Sequence, residues 1–382
     1  MRWIGFLLLS VFAAIKPAAA YDPIQFIVYG DLPYSMAGKP VLVSDGRSDQ
    51  EVFDQDIRPL IHDHPAPFVV HVGDLGRPET SCSDEDLLRH LGYWQGFGKP
   101  TFYTIGDNDW IDCIRKTNPG GPKPPLERLA KIRSLLFSDA ALASYQRTPP
   151  GWTVRRDRGG VRENIAWTTD NPAVAFLTLH IVSSCNGRDT FGKQPCRIVP
   201  EPGMDDATRA LVEDAADRDR RNIVALREAY AEAESQHRAM LVLVIQADMF
   251  GKPADDAKHP ADIWERCKTQ TEFKPYCDVL PGMASAFSGS TLLIHGDTAA
   301  YCLEQLPLDA SPKHHFWRLN APGDFGEIDA DVVTIGSGTD GAATVTATGL
   351  LSGKPAPAAC DRAQYAWRSE DGASRPAYPR KR

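Results

Sequence analysis

Six apolar runs, IQFIVYGD, PFVVHVGD, PTFYTIGD, VAFLTLHIV, MLVLVIQAD and STLLIHGD, recur between residues 24 and 297. Each has strand length, is rich in Val, Ile, Phe and Leu, and shows little alternation of apolar with polar positions. That pattern predicts strands buried on both faces, as in a sheet covered by helices. Helical segments lie between them. CSDEDLLRHLGYWQGF opens with a capping-box pattern from Ser83 to Asp86. PPLERLAKIRSLLF sets Pro125 near a helix start and places Leu126, Leu129, Ile132 and Leu136 on one stripe. A long charged stretch from Asp205 to Met240 offers Leu211, Ile223, Leu226 and Tyr230 for a buried face. The alternation predicts an α/β fold, layered α/β/α, with its sheet or sheets flanked by helices. From about Ala342 the composition turns to Ala, Thr, Gly, Pro and Ser, which predicts a last strand or two and then a weakly structured tail over 351–382.

The chain ends bear on the compartment. Residues 1–20 have a basic start at Arg2, an apolar stretch through Ile15, and small residues at Ala18 and Ala20. This is the pattern of a signal peptide cleaved after Ala20. Lys16 and Pro17 interrupt the run well short of the roughly 20 apolar residues that a membrane span needs. The expectation is an exported chain, periplasmic or secreted, with one domain over 21–350 and no stable membrane anchor. Eight cysteines, none in a C-x-x-C pair, fit an oxidising compartment and disulfides. Roughly a hundred connectivities are open to eight cysteines. The pairing taken as a hypothesis is Cys82 with Cys113, Cys185 with Cys196 and Cys267 with Cys277, with Cys302 and Cys360 tying down the tail. The net charge is −8, and loss of the signal, with Arg2 and Lys16 and no acid, makes it more negative by two. Binding to a nucleic-acid backbone needs clustered Lys and Arg. The basic cluster in the chain is the final RPAYPRKR, which reads as a solvated end.

Candidate chemistry sits at the ends of the runs. Four end in Gly-Asp, at Gly30-Asp31, Gly73-Asp74, Gly106-Asp107 and Gly296-Asp297, and a fifth ends in Gln246-Ala247-Asp248. A single Gly-Asp is ordinary turn chemistry, because Gly reaches positive φ and Asp caps or turns the chain. In open α/β sheets, however, ligands bind beyond the carboxyl ends of the strands. Four carboxylates brought together there repel one another and raise one another's pKa values unless a cation neutralises them. A metal is the economical explanation.

The order of these motifs resembles the calcineurin-like metallophosphoesterases, which carry D-x-H, G-D-x-x, G-N-H-[DE], a lone His after an apolar strand, and G-H-x-H. GDLPYS, GDNDWIDC, PPLERLAKIRSLLF, HIVSSCNG, VIQADMF and LLIHGD are more similar to a divergent exported branch that spells these motifs GDxPY, GDNEWTDC, PLERLA, HIVGSNN, QADM and HGDTH. The resemblance covers most of residues 24–335. It implies a metal-dependent phosphoesterase fold in which the Asp of G-D-x-x, here Asp74, bridges two metals. Asp31 matches the first ligand, but Pro33 stands where that motif has a ligand His. Asp107 stands at the metal-binding Asn and Asn108 at the His that assists the leaving group. Gln246 occupies the position of the lone His, and Asp297 and Ala299 those of the two histidines of G-H-x-H. One metal site would keep Asp31 and Asp74. The other would keep Asp74, Asp107, Gln246 and Asp297, all oxygen donors, which favours a hard cation, Ca²⁺, Mg²⁺ or Mn²⁺, at one or two ions per chain.

With the family's histidines replaced, a general acid is sought elsewhere. His180, at the end of VAFLTLH, and His295, two residues before Asp297 on the same face of its strand, are the first choices. Asn108 and Asn186 are placed to orient phosphate oxygens and Arg188 to neutralise substrate charge. Tyr34 reads as a buried aromatic that is also able to supply a hydrogen bond. His314 or His315 would be a distant replacement for Ala299. Two functions follow: hydrolysis of a small phosphoester, or a degenerate phosphoesterase fold that binds a ligand around one structural cation.

Overall fold

The computed structural model describes residues 21–36, 38–118, 121–189, 196–250, 262–298, 301–308, 315–338 and 342–360. The proposed signal over 1–20, Ala299, His314 and the tail beyond Cys360 lie outside the described residues. The strands are β1 (Ile24–Tyr29), β2 (Val69–His71), β3 (Thr101–Tyr103), β4 (Thr153–Arg156), β5 (Ile165–Thr168), β6 (Val174–Thr178), β7 (Met240–Val244), β8 (Ser290–His295), β9 (Cys302–Leu306), β10 (Phe316–Asn320), β11 (Asp331–Ser337) and β12 (Ala343–Gly349). All six apolar runs form strands, namely β1, β2, β3, β6, β7 and β8. Every residue of β2, β7 and β8 is buried, as the lack of alternation predicts.

The strands form two mixed sheets rather than one. The first runs β12-β11-β1-β2-β3 and the second β4-β5-β6-β7-β8-β10-β9. β1, β2 and β3 are mutually parallel, as are β6, β7, β8 and β10. The inner faces meet in one apolar layer, with Phe26, Val70 and Phe102 from one sheet against Phe176, Val242 and Leu292 from the other. Phe102 stacks on Trp167 at 3.9 Å between centroids, and Phe68 meets Phe176 edge-on at 5.2 Å. Such ring pairs add about 1 kcal/mol each beyond the area they bury. Together they hold the two sheets face to face, so that the carboxyl ends of both parallel sets open at one place.

Helices cover the outer faces. Asp84–Gly96 is capped by Ser83, whose hydroxyl accepts from the Asp86 amide at 3.0 Å. Pro125–Leu136 buries Leu129, Ile132 and Leu136 against the first sheet, with Leu126 partly buried beside them. Asp206–Ser235 buries Leu211, Leu226 and Tyr230, and its Leu226 and Tyr230 pack with Leu241 and Leu243 of β7. The four hypothesised disulfides are all present. Cys302–Cys360 carries the start of the tail back to β9, so residues 351–360 are tied to the fold. Among the described residues, no helix is long and apolar enough to cross a membrane.

Candidate metal centre

Asp31 follows β1, Asp74 lies three residues after β2, Asp107 four after β3, Gln246 two after β7 and Asp297 two after β8. The two sheets therefore deliver five of the predicted ligand positions to one locus. One ligand oxygen each from Asp74, Asp107 and Asp297 lies within 4.8 Å of the other two. The Asp297 amide donates to both oxygens of Asp31 at 3.2 Å, which ties the fourth carboxylate to the group. Asp31, Asp74, Asp107 and Gln246 are buried, and Asp297 is half-buried.

At three of the four Gly-Asp pairs the aspartate itself takes positive φ, and at Gly73-Asp74 the glycine does so as well, with φ of 103°. The aspartates take the left-handed conformation, with φ of 50° at Asp31, 52° at Asp74 and 68° at Asp297. Such backbone is sparsely populated for non-glycine residues and concentrates at functional sites. The glycines serve close approach. A Cβ on Gly106 would lie 2.0 Å from Asp74 Oδ1 and 2.2 Å from the Asp74 amide nitrogen, and one on Gly296 would lie 2.3 Å from Asp31 Oδ2. Glycine is needed there because the acids are crowded.

The neighbours of the acids are donors without charge. Tyr34 Oη donates towards Asp31 Oδ1 at 3.1 Å and Asp74 Oδ2 at 2.9 Å, and accepts from Asn108 Nδ2 at 3.2 Å. Tyr34 is thus both the buried aromatic and the hydrogen-bonding group. The Asn108 amide donates to Asp74 Oδ1 and Asp107 Oδ1, both at 3.0 Å. Ser184 Oγ donates to Asp107 Oδ2 at 2.5 Å, and Ser183 Oγ bonds Asp297. Among the described residues no Lys, Arg or His side chain donates to Asp31, Asp74 or Asp107. Burial pushes the Asp31 carboxyl well above the usual carboxylate range, and the negative charge of Asp324 adds to it. Asp74 is likewise pushed up by burial first and then by Asp107 and Asp31. Burial, then the charges of Asp31 and Asp74, hold the Tyr34 phenol well above its ordinary value.

Gln246 is placed at the cluster but in a different role from a ligand. Its Oε1 accepts from the Ser183 amide at 2.9 Å, which fixes the orientation of the carboxamide. Its Nε2 then donates to Asp107 Oδ1 and Asp297 Oδ1, both at 3.0 Å. An amide NH₂ carries no lone pair for a cation, so in this orientation Gln246 braces Asp107 and Asp297 rather than offering an oxygen beside them.

The other predicted side chains bond elsewhere. His180 Nδ1 pairs with Glu163 Oε1 at 2.5 Å, and Glu163 is held bidentately by Arg133 at 2.8 and 2.7 Å. Burial pushes His180 down to about 4, so the ring is neutral and donates to the carboxylate. His295 Nε2 accepts from Arg318 Nε at 2.9 Å, and its Nδ1 meets the Gly296 carbonyl at 3.0 Å. Arg318 also grips Asp248 at 2.9 Å through both oxygens. Burial holds His295 down to about 4. Asn186 donates to Asp219 at 2.7 Å and accepts from the Val182 amide, and buried Arg188 pairs with Asp219. These four act within internal networks, because strand-end side chains that point into the layers find partners there. His315 pairs with Gln305 ahead of β10, at the end opposite the cluster.

Sequence reading missed Ser183 and Ser184. They lie in a short turn, Ser183–Gly187, in which Ser184, Cys185 and Asn186 all have positive φ. The run SSCNG, small and polar directly after an apolar strand, was the available signal. The Cys185–Cys196 disulfide anchors this turn, and Cys82–Cys113 anchors the loop that carries Asp107.

An all-oxygen donor set of three convergent carboxylates, with a fourth adjoining, fits a hard divalent cation. Two aspartates, Asp31 and Asp74, whose charge is disfavoured by burial and by neighbouring acids supply the physical reason for a cation to bind.

No family model matches the chain, and no curated protein does either. Among solved structures, the chain is similar to the NAD nucleotidase of Haemophilus influenzae at 13% identity and a TM-score of 0.39, covering 94% of this chain and 65% of that one. It is similar to purple acid phosphatase PPD1 from yellow lupin (Lupinus luteus) seeds at 10% identity and a TM-score of 0.42, covering 89% and 53%. It is also similar to PhoD at 10% identity and a TM-score of 0.42, covering 90% and 73%. The chain thus spans between half and three quarters of the length of these proteins.

Proposed function

We propose that the chain is an exported, metal-dependent hydrolase of a small phosphoester, with Asp74, Asp107 and Asp297 as ligands of a hard divalent cation and Asp31 beside them. The observation that carries this reading is the convergence of their ligand oxygens within 4.8 Å of one another at the carboxyl ends of two sheets. A cation held there would supply Lewis acidity towards a phosphoryl oxygen and lower the pKa of a water. The chain's own residues orient the site. Tyr34, Gln246, Ser183 and Ser184 fix the carboxylate rotamers through hydrogen bonds, as outer-shell donors do around metals. The Asn108 side chain, which donates to Tyr34 Oη beside the acids and is only partly buried, would be able to donate to a phosphate oxygen.

The test is turnover of a panel of phosphomonoesters and phosphodiesters by the mature chain with Ca²⁺, Mg²⁺ or Mn²⁺, beside an Asp74→Asn variant. Hydrolysis by the parent that is lost in the variant is expected. Turnover retained in the variant contradicts the assignment.

A specific observation favours a second reading. His180 and His295 are neutral and bonded within the protein, so among the described residues neither predicted histidine serves the acids as a proton donor. On that reading the cation braces a binding protein, and it would raise thermal stability with no hydrolysis across the panel.

A further inference from the structure

A cleft of about 340 Å³, lined by none of the clustered carboxylates, lies between helix Asp206–Ser235, helix Pro125–Leu136 and the turn at 160–162. Its walls carry four guanidinium groups, Arg133, Arg162, Arg218 and Arg221, against two carboxylates, Asp214 and Asp217. That balance is unusual in a chain whose net charge is −8. Arg218 pairs with Asp214 and Arg221 with Asp217, both at 2.7 Å, while Arg133 is held from behind by Glu163. Arg162 is exposed, and its guanidinium has no hydrogen bond or ion pair among the described residues.

Arg218 marks the cleft as more than a solvated face. It is 3% exposed, and its Nε is buried without a hydrogen-bond partner. Its other nitrogens are fixed, Nη1 on Asp214 and Nη2 on the Asn186 carbonyl at 2.6 Å, and its guanidinium lies over Trp110 at 5.4 Å from the ring centroid. A buried donor left unmade costs about 1–3 kcal/mol, and a rigid guanidinium fork suits a tetrahedral oxyanion.

We propose that this cleft is an anion site for a phosphoryl group, gripped by Arg162, Arg218 and Arg221, independent of the carboxylate cluster. Its volume is at the small end of ligand pockets, which run from about 300 Å³ upward. It therefore has room for a phosphorylated small molecule as well as for free phosphate.

The test is calorimetric titration of inorganic phosphate, and separately of glycerol phosphate, into the full mature chain after its divalent cations have been stripped with a chelator. One saturable site is expected. It should weaken at least about tenfold in Arg162→Ala and in Arg221→Ala, the effect of losing one charge-assisted hydrogen bond, and hold in Asp74→Asn. Both arginines are exposed, so circular dichroism of these variants should match the parent. Tighter binding of glycerol phosphate would identify an organic phosphate as the natural occupant, and equal or weaker binding would identify free phosphate. The absence of saturable binding at millimolar ligand, equal affinity in the arginine variants, or loss in Asp74→Asn would overturn the proposal. Because no cation or turnover is involved, this outcome is separate from that of the hydrolase reading.

Discussion

Two regions at the ends of the same strands treat buried charge in opposite ways. Behind β8, Arg318 meets two carboxylates, Asp248 and Glu304, and the neutral ring of His295. Behind β6 the carboxylate of Glu163 lies between the Arg133 guanidinium and the His180 ring. In the carboxylate cluster, Asp31, Asp74 and Asp107 receive only neutral donors among the described residues, namely backbone amides, Tyr34, Ser184 and Gln246. Burying a charge without a partner is costly, and a pair relieves that cost. Around Arg318 and Arg133 the buried carboxylates meet the chain's own arginines, whereas in the cluster three acids are crowded together with neutral donors alone among the described residues. The crowding of acids without an arginine marks the cluster as the place for a counter-charge from outside.

The largest way to break this contrast is Asp74→Asn, which should lower any hydrolysis by about 10³-fold, since cation stabilisation is worth several kcal/mol. Steady-state kinetics with saturating Mn²⁺ checks it. Arg318→Met should act in the opposite sphere. It removes the guanidinium that both Asp248 oxygens accept from, and the unfolding free energy should fall by about 3–5 kcal/mol in denaturant titration. A loss under 1 kcal/mol would show that the network is not what balances that carboxylate. Tyr34→Phe should weaken cation affinity by about 10–100-fold, the usual effect of removing an outer-shell donor, with secondary structure intact by circular dichroism.

The smallest effect is a pH slope whose sign differs between the regions. Asp31 and Asp74 are held above the usual range, so the folded, cation-free chain keeps protons that the unfolded chain releases. Their contribution is present at low pH and falls as pH rises above about 4. His180 and His295, held down to about 4 from 6.5, act in reverse. Their contribution is full above about 6.5 and is lost as pH falls towards 4. Saturating Ca²⁺ should remove the first slope and leave the second in thermal unfolding between pH 4 and 8. Equal slopes with and without Ca²⁺ would contradict the difference between the regions.

The strands and the convergence of the acids were legible because both follow from short-range pattern. An apolar run without alternation specifies a doubly buried strand, and parallel strands present their ends together. The pairing of the two sheets was not legible, since Phe102 on Trp167 and Phe68 on Phe176 join residues from distant parts of the chain. The orientation of side chains was hidden for the same reason. His295 and Asp297 share a strand face by spacing, but Arg318, on β10, draws the imidazole away from the acids. Gln246 reads as a ligand in sequence, and only the amide of Ser183, from the turn after β6, turns its NH₂ towards the carboxylates.

The most direct measurement is the metal content of the purified mature chain by elemental mass spectrometry, beside the Asp74→Asn variant. At least one hard divalent cation per chain, lost in the variant, is expected if the cluster takes its counter-charge from outside. No divalent cation in the parent after incubation with Ca²⁺, Mg²⁺ and Mn²⁺, or equal content in both proteins, would contradict it.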